Sequence, residues 1–152
     1  MQKIIIADTS CLIVLQKIGH LHILKDVFKT VHVTSIVAQE FGFELPEWVM
    51  ISDAKNREFQ IILNATVDLG EASSIALAFE QKDALIILDD LKARKLVANL
   101  NLLFSGTLGL IIMAKSLGKI TSVKMITDKI KLTNFHITSE LEYQILKTSG
   151  EI

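Results

Sequence analysis

Acidic side chains stand where the chain can gather them into one place. Asp8 follows the apolar run Ile4-Ile5-Ile6-Ala7, and Asp89 and Asp90 follow Leu85-Ile86-Ile87-Leu88. Glu71 opens a helix-like stretch after Leu69-Gly70, and Glu40 lies on the helix-like stretch after Val31–Val33. Carboxylates converging on one crevice repel each other and need a cation or shared protons to coexist. Hard oxygen donors, with no convincing histidine or cysteine cluster beside them, suit Mg2+ or Mn2+ rather than zinc. Such an ion can position water and polarise a phosphodiester, and two ions can clamp both oxygens of the displacement. Each acid also has a plain structural use. Asp8 and Asp90 each precede a helix, where an N-cap is expected. Glu71 in a first helical turn gains from the helix dipole, and Glu40 could simply face solvent. Acids at two buried strand ends plus two on the intervening helices are harder to assign to capping alone.

The elements that must position these acids alternate along the chain. Ile4–Ala7 and Ala84–Leu88 are continuous apolar runs, the mark of strands buried on both faces. Val31–Val33 and Leu102–Phe104 are shorter candidates, and Met50–Ser52 is a fifth. Apolar residues recur at helical spacing in Glu71–Gln81 and in Thr107–Leu117, whose second side is also apolar and implies deep burial. Further helices are expected over Ser10–Ile18, Leu21–Phe28, Ser35–Phe43, Leu91–Asn101, Ser122–Leu132 and Ser139–Lys147. Strands alternating with helices imply a parallel sheet covered on both faces, whose ligands collect outside the carboxyl ends of the strands. The lone proline, Pro46, marks a turn after a helix.

With 152 residues the chain suits one domain, and half of it is hydrophobic, so a core can form without disulfides or a structural metal. The one cysteine, Cys11, rules out an intramolecular disulfide and fits a cytoplasmic setting. A leader needs a longer apolar stretch than Ile4–Ala7, and Leu102–Ala114 is too short to span a bilayer, so membrane insertion is not expected. The net charge of −1 hides an asymmetry. From Leu91 to Thr133 the bases Lys92, Arg94, Lys95, Lys115, Lys119, Lys124, Lys129 and Lys131 face only Asp128, whereas most acids precede Leu91. That division suits a protein holding cations at one place and phosphates beside it, or else a set of solvated helix faces.

Other residues have two readings each. Arg94 lies four residues beyond Asp90, so it can pair with that acid or reach a substrate phosphate. Gly106-Thr107-Leu108-Gly109 at a helix start can cradle phosphate or simply begin a capped helix. Thr9 and Ser10 are caps or hydroxyls near the acid site. His20, His22, His32 and His136 read as surface histidines, Cys11 as packing, and Trp48 as a hydrophobic lid rather than a base-stacking platform.

The ordered set Ile4-Ile5-Ile6-Ala7-Asp8-Thr9-Ser10, Val37-Ala38-Gln39-Glu40, Leu69-Gly70-Glu71-Ala72, Ile86-Ile87-Leu88-Asp89-Asp90-Leu91-Lys92-Ala93-Arg94, Gly106-Thr107-Leu108-Gly109 and Ala114-Lys115-Ser116-Leu117-Gly118 resembles PIN domains, in particular a PIN-like branch common in bacteria and archaea. The resemblance runs from the first strand to about Lys119. It implies a three-layer α/β/α domain with a central parallel sheet of four or five strands, spanning 1–152 with a C-terminal helical extension over 120–152. It implies a Mg2+- or Mn2+-dependent ribonuclease, often the toxin of a toxin–antitoxin pair, with RNA as substrate, a small antitoxin as partner and a homodimer as the assembly. Asp8, Glu40, Glu71 and Asp90 match the family's catalytic metal acids, with Asp89 beside the last as a further ligand. Lys92, Arg94, Lys95, Lys115 and Lys119 are the bases expected to hold RNA. Two features depart from the better-studied pattern: the third acid is Glu rather than Asp, and the fourth lies in Leu-Asp-Asp-Leu-Lys-Ala-Arg rather than Thr-x-Asp-x-x-Phe. The alternative is a catalytically weak PIN-like binding or oligomerisation module. A haloacid-dehalogenase-like phosphatase would want a second Asp where Ser10 stands, and a response-regulator receiver an acidic pair where Asp8 stands alone.

Overall fold

The two isoleucine-rich runs pair with each other at the centre of the sheet. In a computed structural model, which describes residues 3–152, β1 (Ile4–Ala7) lies parallel to β4 (Ala84–Ile87), with Ile4 opposite Ala84 and Ala7 opposite Ile87. β2 (Val31–Val33) flanks β1, β3 (Val49–Ile51) flanks β2, and β5 (Leu103–Ser105) flanks β4. Every pairing is parallel and the order is β3-β2-β1-β4-β5. The fifth strand suggested by Met50–Ser52 therefore exists, as an edge.

Alternation along the central strands explains their unbroken hydrophobicity. Ile5, Ala7 and Ile87 enter one core, whereas Ile6, Ala84, Ile86 and Leu88 enter the other. Burying each large aliphatic side chain fully contributes roughly 1.5–3 kcal/mol, and β1 and β4 carry no polar residue on either face. The first face is covered by α1 (Thr9–Lys17), α2 (Ile23–Phe28), α3 (Ser35–Phe41), α7 (Thr107–Ser116), α8 (Val123–Ile130) and α9 (Ser139–Thr148). The second is covered by α4 (Arg57–Asn64), α5 (Leu69–Glu80) and α6 (Leu91–Asn99). This is the expected three-layer α/β/α architecture. Among the described residues no helix is long and apolar enough to cross a membrane.

One helix, α4, has no counterpart in the sequence reading. Asn56 caps it by accepting from the Phe59 amide at 3.0 Å, and Leu63 points inward, but Ile61 and Ile62 point to solvent. Phe59, Ile62 and Leu63 keep helical spacing, but the pattern extends over only eight residues. At the other end of α3, Gly42 adopts the left-handed conformation (φ 75°) that ends the helix before the Pro46 turn.

Direction matters for the site. The chain runs from β1 outward to β2 and β3, then crosses back to β4 and β5, so the strand order reverses between β1 and β4. A crevice opens at the carboxyl end of such a switch point. Helices that follow parallel strands return toward the amino edge. Accordingly Met113, late in α7, shares a cleft with Lys3 and Ile5 at that edge.

The C-terminal helices are tied down by one carboxylate. Glu151 accepts from Lys115 Nζ at 2.8 Å and from the amides of Val123 and Lys124 at 2.5 and 3.0 Å. The Lys115 ammonium holds the Glu151 carboxyl well below the usual carboxylate range. Val123, Ile126, Ile130, Ile145 and Leu146 pack into the same core as β1 and α7.

Candidate active site

Asp8 is placed by β1, whose last residue pairs with Ile87, and by its own amide, which donates to the Ile87 carbonyl at 2.9 Å. It occupies the N-cap position of α1, yet its side chain makes no capping bond. It is 4% exposed and accepts a long 3.4 Å bond from Ser74 Oγ. Burial pushes its carboxyl up to about 7, against the easing effect of the Thr9 amide, and Glu71, Asp68 and Glu40 push it the same way. A buried acid with so few donors and three acidic neighbours holds its charge only if a cation or proton compensates.

Glu40 is brought to the same cleft by α3. Thr34 caps that helix, accepting from the Val37 amide at 3.1 Å, and its buried hydroxyl lies 2.7 Å from Ser73 Oγ on α5. This contact locks the two helices together. Thr9 Oγ1 then donates to Glu40 Oε1 at 2.6 Å. Gly70 completes the arrangement, because a Cβ there would run into Glu40 Oε1 and lie 3.0 Å from its Cδ. The carboxylate of Glu40 thus rests against the backbone at the start of α5.

Glu71 does two jobs. It closes a capping box with Asp68: the Glu71 amide donates to Asp68 Oδ1 at 2.8 Å and the Asp68 amide to Glu71 Oε1 at 3.1 Å. It also lines the cleft with Asp8, Thr9, Ser10, Glu40 and Asp68. Partial burial pushes its carboxyl up to about 7, and the charges of Asp68 and Asp90 add to the shift. Asp68 was missed by the sequence reading. Its signal was present as Asp-x-x-Glu before an apolar run, which marks a helix start and also sets two acids side by side.

The neighbours Asp89 and Asp90 part company. Asp90 caps α6 by accepting from the Ala93 amide at 2.9 Å, and its charge acts on Glu71. Asp89 turns the other way, to the start of α7. It accepts from the Thr107 amide at 2.8 Å, from Thr107 Oγ1 at 2.6 Å and from Ser10 Oγ at 3.3 Å. The helix start read as a possible phosphate cradle is therefore filled by the protein's own carboxylate.

The basic residues also divide. Lys92 and Lys95 are exposed on α6, which begins at the acid edge. The expected Asp90–Arg94 pair does not form: Asp90 spends an oxygen on Ala93, while Arg94 lies 5.3 Å from the centroid of the Phe104 ring. Lys115 and Lys119 do not border the crevice, because α7 carries them away toward the amino edge, and Lys115 is committed to Glu151. Cys11 is fully buried and burial pushes its thiol up, consistent with packing. His20 lies 2.9 Å from Lys129 Nζ and does not line the acid cleft.

A parallel three-layer domain with an acid-lined crevice at its switch point is a framework for hydrolytic chemistry on phosphodiesters. The PIN-domain family profile matches residues 4–151, and the chain belongs to that family. The match includes α8 and α9, beyond the Lys119 limit of the motifs. PIN domains are generally nucleases that act on nucleic acid and use divalent metal ions. No curated protein matches the chain.

The donor set suits such an ion. Asp8 and Glu71 are raised by burial and by the charges of neighbouring acids, which a cation would relieve. Among the described residues no three carboxylate, histidine or cysteine groups close into a ready-made cage. An open set of carboxylates fits Mg2+, which keeps several waters and takes few protein ligands.

Proposed function

We propose that the chain is a Mg2+- or Mn2+-dependent endoribonuclease that hydrolyses RNA at the crevice between β1 and β4. One observation carries the reading: Asp8 is buried at an N-cap position without capping, among Glu40, Asp68 and Glu71. Capping accounts for Asp90 and for part of Glu71, but not for Asp8. Asp8, Glu40, Glu71 and Asp90 would hold the ion, with Asp68 adding negative charge. Asp89, read from sequence as a further ligand, gives its oxygens to Thr107 and Ser10 and serves better as a positioning residue for α1 and α7.

When bound, the ion supplies Lewis-acid polarisation of the scissile phosphate and activation of the attacking water. The protein's own contribution is placement. Thr9 fixes Glu40, Ser74 steadies Asp8, and the Asp68–Glu71 box fixes the start of α5. Lys92 and Lys95 follow Asp90 on α6 and are the bases best placed to meet the RNA backbone, whereas Arg94 between them turns inward and Lys115 and Lys119 sit at the far edge. The family setting adds a cytoplasmic toxin role, a small antitoxin partner and a homodimer to the proposal. The test is titration of Mn2+ and Mg2+ against thermal stability, run beside cleavage of a single-stranded RNA. Metal-dependent stabilisation and cleavage, both absent in Asp8→Asn, are expected; stabilisation without cleavage would favour the binding-module alternative.

A further inference from the structure

Beside the acid crevice, α6, the start of α7 and α9 enclose a second cleft of about 440 Å3, in the range of small-ligand sites. Its walls are apolar, with Leu108, Ile112, Phe135 and Ile145 among them, and its polar groups are Asp89, Arg94 and His136. The two clefts meet at α1, where Ser10 lines the first and hydrogen-bonds Asp89 of the second. The polar groups of this second cleft are not fully used. The Arg94 side chain enters no ion pair or hydrogen bond among the described residues, and its Nε is buried without a partner. The ring of Phe104 lies beneath the guanidinium, 5.3 Å from Cζ to the ring centroid, a cation–π contact that leaves the N–H donors free. Asp89 Oδ2 already accepts two bonds, but Oδ1 accepts only the Thr107 amide and retains a lone pair. Gly106 lets the two groups close in on the backbone side by side, since a Cβ there would lie 2.8 Å from Arg94 Nη2 and 2.9 Å from Asp89 Oδ1.

We propose that this cleft holds a guanine base of the RNA substrate, next to the phosphate cut at the acid crevice; the assignment rests on the nuclease reading above. An unpaired fork of donors beside a free acceptor matches guanine, which sets its O6 and N7 acceptors beside N–H donors. Adenine and cytosine would turn an amino donor toward Arg94, and uracil offers the fork a single acceptor on that edge. The flat faces of the base pack on Phe135 and the aliphatic side chains, as unstacked RNA bases do on protein walls.

The test uses the full chain in EDTA, where the acid crevice takes no part, and compares binding of GMP, AMP, CMP and UMP by calorimetry. GMP should bind at least about tenfold more tightly than the other three, the discrimination expected of one good bidentate contact. Arg94→Lys keeps the charge but loses the fork, and Leu141→Trp fills the cleft from its exposed mouth. Either variant should remove the preference, while Asp8→Asn should keep it. Equal binding of the four nucleotides, or a preference that survives both variants, overturns the proposal. Retained GMP preference in a protein that cuts no RNA with Mg2+ or Mn2+ would instead uphold the pocket and overturn the nuclease reading.

Discussion

Asp89 and Asp90 leave the same strand one residue apart and enter opposite electrostatic regimes. On the Asp90 side, Asp8, Glu40, Asp68 and Glu71 receive one side-chain or amide donor apiece, and burial and repulsion raise Asp8 and Glu71. On the Asp89 side, a single carboxylate meets three donors from Thr107 and Ser10. A carboxylate supplied with donors is a fixture of the fold, whereas one left short of them is poised for a cation. The role of an acid is thus read from what satisfies it rather than from its place in a motif.

The sharpest way to break this contrast is Asp8→Asn. RNA cleavage should fall by about a thousandfold or more, the several kcal/mol a metal contributes to the transition state. Stability without metal should hold or rise, since a poorly compensated buried charge has gone. Loss of both would make Asp8 a structural residue like its counterpart.

Next in size is the pH dependence of stability without metal. Asp8 is raised from its ordinary range to about 7 in the folded chain, so the folded state binds the proton more tightly than the unfolded one. Stability is therefore fully present below the unfolded pKa of about 4 and is lost as pH rises toward 7. Denaturant melts from pH 4 to 8 should show this decline. Mn2+ should flatten it, and Asp8→Asn should remove the Asp8 share while leaving that of Glu71, which is raised the same way. A profile unchanged by that substitution would assign the slope elsewhere.

Asp89→Ala probes the other side. It leaves the Thr107 amide without its partner and should cost roughly 1–3 kcal/mol, seen as a lower melting temperature. Its effect on cleavage should be smaller than that of Asp90→Ala. The reverse order would show that the metal acid is Asp89.

The smallest effect separates the two basic groups. Lys92→Ala with Lys95→Ala should flatten the salt dependence of RNA binding by roughly one unit for each lysine that meets a phosphate. Lys115→Ala with Lys119→Ala should leave that slope alone and lower the melting temperature through Glu151. A flattened slope in the second pair would bring the amino edge into the RNA path.

Much of this was legible in the residues. Two isoleucine-rich runs announced the paired central strands, and acids directly after them announced the crevice, because a strand end and a switch point fix where a side chain can go. Local pattern could not say which way each acid turns. Asp89 and Asp90 carry the same sequence signal, and only the distant Thr107 and Ser10 separate them. Asp68 went unnoticed because its Asp-x-x-Glu spacing signals no more than a helix start, yet its charge acts on Asp8. Lys115 and Lys119 followed a helix whose sense of travel, not its composition, takes them from the site. The pattern of α4 was legible too, since Phe59, Ile62 and Leu63 keep helical spacing, but it is confined to eight residues.

The latch at Glu151 also has a bearing on how the chain is made. Its carboxylate serves Lys115 and the first amides of α8, residues synthesised 27 to 36 positions earlier. Every acid assigned to the crevice lies at or before Asp90, so on the ribosome the crevice can be complete while α8 and α9 still lack their fastener. Until Glu151 is added, α8 and α9 would lie on the hydrophobic layer without their link to Lys115 of α7, so the latch forms after every acid of the crevice is already in the chain.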